Sequence, residues 1–141
     1  MKTKLLLVTL CLLGFLYLQF GRAPYVNLAT TQNASDGYVL HLTVTANKLF
    51  IVDEESYAKS LIQRTLDNKY KNMIFPYEEL GYPKEIRIKV YANSFTRFQD
   101  IPAFEVHYTT SLDGIKIILK EHSFGDDLLS PLSSYLLYLY I

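Results

Sequence analysis

The chain opens on an apolar run. Leu5 to Phe20, sixteen residues, carry no charge; Lys2 and Lys4 precede them and Arg22 follows. Leaving such a run in water is costly, and a basic flank ahead of it marks a membrane-targeting segment. As a helix it reaches about 24 Å, at roughly 1.5 Å per residue. That length lies between a signal-peptide core of about 7–15 residues and a spanning helix of about 17–25. Cleavage needs small residues before the cut, which Gly21 and Ala23 supply, but Pro24 would then follow the cut and hinder it. Residues 1–22 therefore read as a signal anchor, with a cleaved signal peptide as the alternative. The single cysteine, Cys11, has bulky Leu10 beside it, which fits lipoprotein processing poorly; the simpler reading is a small hydrophobe inside the helix. With the anchor retained, Met1 stays in the cytoplasm, residues 5–20 contact the membrane, and the C-terminal domain lies outside the cytoplasm. With it cleaved, the protein is secreted.

No cysteine follows the apolar run, so no disulfide can staple the rest and a packed core must stabilise it. Without Lys2, Lys4 and Arg22, eleven basic residues face fourteen acidic ones. That mildly acidic balance makes nucleic acid a poor partner, because its recognition rests on clustered Lys and Arg.

Residues 23–37 are polar in their second part, NLATTQNASDG, and read as a flexible stalk. The domain is expected over residues 38–141. Tyr38, Leu40, Leu42 and Val44 alternate with Val39, His41, Thr43 and Thr45, which is strand periodicity. Asp53 can cap a helix whose first turn holds Glu54 and Glu55, with Val52 stapled onto Tyr57. Tyr57, Ala58, Leu61, Ile62 and Leu66 share one face of it, and Asn68 is a stop. Three further alternating runs centre on Ile86–Val90, Phe104–Tyr108 and Ile115–Leu119, the last after an Asp113-Gly114 turn signal. The expected fold is α+β: a small antiparallel sheet in the order β-α-β-β-β, packed on one amphipathic helix and preceded by the membrane-targeting helix. The tail, LLSPLSSYLLYLYI from Leu128 to Ile141, is apolar and expected to pack on the domain.

No nucleophile elbow, HExxH, P-loop or dinucleotide fingerprint occurs, and no cofactor is expected. His41 and His107, with Glu105, share the polar phase of two strands and could meet on the open face if those strands were neighbours. His122 with Asp126 and Asp127 reads as an acidic turn, and the adjacent acids Glu54-Glu55 and Glu78-Glu79 as helix starts. Two connections carry unpaired aromatic character. Residues 69–84 hold Tyr70, Phe75, Tyr77 and Tyr82, with Pro76 and Gly81 bracketing a short helical turn; residues 92–103 hold Phe95, Arg97 and Phe98. These seven are the candidate contacts for a ligand or protein partner. The chain thus reads as an exported, membrane-tethered binding or protein-interaction module, the alternative being a cleaved secreted inhibitor or small enzyme.

Overall fold

The computed structural model describes residues 2–111, 114–121 and 137–140. Helix α1, Lys2–Phe20, is followed by strands β1, Tyr25–Ala34, and β2, Gly37–Thr45. Helices α2, Glu54–Leu66, and α3, Tyr77–Leu80, lead to β3, Glu85–Tyr91. Then come α4, Ser94–Phe98, and strands β4, Phe104–Ser111, β5, Gly114–Glu121, and β6, Leu137–Tyr140. The six strands form one sheet in sequence order. The class is α+β, with an apolar N-terminal helix long enough to cross a membrane.

Two features depart from the expected layout. The segment read as a stalk is mostly strand β1, paired antiparallel with β2 from Tyr25↔Thr45 to Ala34↔Gly37. Its alternation is hidden by a bulge between Val26 and Leu28, which shifts the buried side from Val26 to Ala29. Gly37, at φ 138°, closes the hairpin after Ser35-Asp36. Second, β2 pairs with β3 in parallel, from Val39↔Glu85 to Thr45↔Tyr91, so the sheet is mixed. A parallel neighbour requires a long crossover, and the connection through α2 and α3 provides it. The other pairings are antiparallel.

The core forms where α2 covers one sheet face. Asp53 caps the helix by accepting the Ser56 N–H at 2.9 Å, and Glu55 pairs with Lys59 at 2.9 Å across one turn. Ala58, Leu61, Ile62 and Thr65 are buried, and the first three share a cluster with Leu40, Leu42, Val44, Ile86, Ile88, Val90, Phe104 and Val106. Asn68, at φ 56°, follows the helix end in the left-handed conformation expected of a stop. Val52 does not staple onto the helix; it is 81% exposed.

Helix α1 is not a free tether. Its last residues are bonded to the connection between β2 and α2. Gln19, only 3% exposed, donates to the Phe50 carbonyl at 2.8 Å and accepts from the N–H groups of Leu49 (3.1 Å) and Phe50 (3.4 Å). Lys48 Nζ donates to the Gln19 carbonyl at 3.1 Å, placing a cation at the negative end of the helix dipole. The Phe15 and Phe50 rings lie 6.4 Å apart. Beyond the helix, Asn47 donates to the Ala23 carbonyl at 2.8 Å. The helix ends at Gly21, whose N–H closes on the Tyr17 carbonyl; a Cβ there would sit 2.8 Å from that same oxygen.

Asp113 of the turn signal, His122, Asp126, Asp127 and residues 128–136 and 141 of the tail lie outside the described residues, as do the side chains of Lys116, Ile117 and Lys120. Within the tail, β6 pairs antiparallel with β5 from Lys116↔Tyr140 to Leu119↔Leu137.

Candidate functional site

The structure divides the seven aromatic-loop candidates. Tyr70 and Phe75 are 5% and 6% exposed and belong to the core; that burial removes them as contacts for a partner. Tyr77 is half-buried, while Tyr82, Phe95, Arg97 and Phe98 are exposed. The four rings of residues 70–82 form a continuous stack. Tyr70 meets Phe75 edge-on at 6.1 Å, Phe75 stacks on Tyr77 at 5.6 Å, and Tyr77 leans on Tyr82 at 4.9 Å. Asn68 fixes the stack by pairing its carboxamide with both backbone groups of Phe75, each at 2.8 Å. Tyr77 donates to the Thr65 carbonyl at 2.9 Å, and Tyr38 to the Gly81 carbonyl at 2.7 Å. Burial pushes the phenols of Tyr70 and Tyr77 above their ordinary range, so both stay neutral donors. This connection is therefore a lid on the open end of the helix–sheet core, with α3 capped between Pro76 and Gly81.

The 92–103 connection differs. It holds α4, whose start is a capping box: Asn93 Oδ1 accepts from Phe95 and Thr96 N–H at 3.1 Å each, and Thr96 Oγ1 accepts from Asn93 N–H at 3.2 Å. The Asn-Ser-Phe-Thr spacing carried that signal. Asn93 also donates to the Lys48 carbonyl at 3.3 Å, and Lys48 N–H bonds the Ala92 carbonyl at 2.8 Å. These bonds hold α4 beside the connection that grips α1. Farther along, Asp100 accepts from Tyr91 Oη and, at 3.1 Å, from Lys89 Nζ. The result is a fixed short helix presenting Phe95 at 68% and Phe98 at 90% exposure, with Arg97 between them.

The sheet face opposite α2 carries a polar surface. A groove of about 330 Å³ runs along it, lined by His41, Arg87, Lys89, Glu105 and His107 among others. His41 and His107 do not meet, because β3 lies between their strands. Arg87 is the cross-strand neighbour of both. Among the described residues no group of three or more His, Cys, Asp or Glu side chains could hold a metal ion. The charges on this face are mutually paired instead. Glu85 accepts from Arg87 Nε at 2.6 Å, with His107 4.0 Å from Glu85 and 3.9 Å from Glu105. The Arg87 hydrogen bond, assisted by the nearby Arg87, His107 and His41 charges, holds the Glu85 carboxyl below its ordinary value despite partial burial. Arg87, Lys89 and Glu105 line the wet face as the alternation requires, with Arg87 the most open of them.

No protein-family model, curated protein or solved structure matches the chain.

Proposed function

We propose that the chain is a membrane-tethered protein-interaction module that retains α1 as a signal anchor and presents α4 to a protein partner outside the cytoplasm. The observation that carries this reading is the Gln19 latch. A cut near Pro24 would remove the carboxamide that satisfies Leu49 and Phe50 backbone groups, together with the Phe15 ring beside Phe50. A segment destined for removal has no reason to complete the hydrogen bonding of the domain it leaves. The contact surface follows from α4. Aromatic rings and Arg exposed on a rigid element are the side chains that most often dominate interface energetics, and Phe95, Arg97 and Phe98 are such a set.

The test joins both parts. Intact mass of the membrane-fraction protein is expected to equal that of the full 16.3 kDa chain. A photoreactive side chain at Phe98 is expected to give one discrete protein adduct that Arg97→Glu abolishes. A chain beginning near Pro24 and recovered in the medium, or no adduct from Phe98, would overturn the reading and favour a secreted inhibitor or small enzyme.

A further inference from the structure

We infer that residues 49–52 form a membrane-inserting foot, seated in the headgroup–acyl boundary of the leaflet from which α1 emerges. The inference rests on α1 being retained in the bilayer and adds a second lipid-contacting surface to the module.

Depth is the first argument. Helix α1 has nineteen residues, about 28 Å long at roughly 1.5 Å per residue, against a hydrocarbon core of about 30 Å. Such a helix must use its whole length to span. Phe15 lies five residues before the helix end, about 7 Å below it along the axis. Helical side chains lean toward the N-terminus, so its ring points deeper still. Phe50, in ring contact with Phe15, is therefore carried below the level at which the chain leaves the helix.

Chemistry agrees with that position. Leu49, Phe50, Ile51 and Val52 are four consecutive apolar residues in a connection, and Leu49, Phe50 and Val52 are 41%, 49% and 81% exposed. Such a run is a liability in water and an advantage in lipid. Irregular backbone is tolerated at membrane depth only where its polar groups are satisfied, and the Gln19 carboxamide satisfies three of them. Lys48 reaches the last helical turn with its ammonium on the Gln19 carbonyl and 5.5 Å from the Phe20 ring centroid, the posture of a lysine at a membrane interface. Asp53, which caps α2, closes the run on the other side and marks the return to water.

The chain contains no Trp, so a single substitution is a unique fluorescent reporter. The full chain would be placed in phosphatidylcholine vesicles whose acyl chains carry bromine near the headgroup. Val52→Trp, at a position with little packing to lose, and Phe50→Trp are both expected to emit blue-shifted light and to be strongly quenched. Ser35→Trp, at the tip of the β1–β2 hairpin, is expected to stay water-like and unquenched. Cys11 labelling by a membrane-impermeant maleimide separates the two claims. A protected Cys11 with unquenched, water-like Val52→Trp and Phe50→Trp overturns the foot and leaves the anchor standing. A Cys11 that labels freely overturns the anchor, and the foot with it.

Discussion

Three carboxamides do work that a neighbouring strand or helix turn does elsewhere. Gln19, Asn68 and Asn72 each pair with both backbone groups of one distant residue: Phe50, Phe75 and Val26 respectively. A side-chain amide has the donor and acceptor of a peptide unit, so it can complete an irregular segment that has no ladder partner. Removing one leaves the partner's N–H and C=O unmatched, which costs about 1–3 kcal/mol per buried group. Gln19→Leu is therefore expected to speed amide hydrogen exchange at Leu49 and Phe50 while leaving exchange in β3 unchanged. Equal acceleration in both regions would show that the latch supports the global fold and not the local connection. Glu85 provides a pH test. Its folded-state affinity for protons is lowered, mainly by the Arg87 hydrogen bond, so its stabilising contribution is full above the ordinary carboxylate range and is lost as pH falls through and below it. The pair remains open to solvent, which limits its worth to about 1 kcal/mol or less. The stability difference between wild type and Glu85→Gln is expected near neutral pH and to shrink toward pH 3; a difference independent of pH would assign the effect to packing.

At the scale of elements, α2 decides whether the sheet has a core. Leu61 is fully buried among Leu42, Ile88, Val106 and their neighbours. Leu61→Ala is expected to destabilise the domain by about 2–5 kcal/mol, read as a lower denaturant midpoint with an unchanged slope. An unchanged midpoint would contradict the packing of α2 on the sheet. Helix α2 and strands β2 to β5 were legible because their apolar residues keep a constant period, from Leu40 to Leu119. Strand β1 was not. The bulge at Asn27 breaks its alternation, and Thr30 to Asn33 pair through backbone bonds that leave no apolar mark. The parallel pairing of β2 with β3 was equally hidden, since alternation shows which side chains are buried and not which way the next strand runs. Candidate contacts divided for the same reason. Tyr70 and Phe75 lie in an aperiodic connection, where a core ring and a surface ring look alike until Asn68 is seen holding Phe75 inward.

For the whole molecule, the sheet has two edges with different protection. At the β1 edge, Asn72 covers the outward N–H and C=O of Val26, and the helix exit lies close by through Asn47 and Ala23. At the other edge, β6 covers β5 through the register Lys116↔Tyr140 to Leu119↔Leu137. A chain ending at Ser134 would turn β5 into the edge and leave its outward backbone groups unpaired. Exposed strand edges are templates for pairing with another chain. The shortened chain is therefore expected to melt at a lower temperature, and to associate through β5 as its concentration rises. A tail that serves only as a docking peptide would behave otherwise, leaving the melt unchanged and removing association already present in the full chain. Thermal melts at two protein concentrations, followed by sizing of both chains, separate these outcomes. A lower midpoint with new self-association identifies β6 as the cover of the sheet, and an unchanged midpoint with lost association would make the tail a partner-binding element instead.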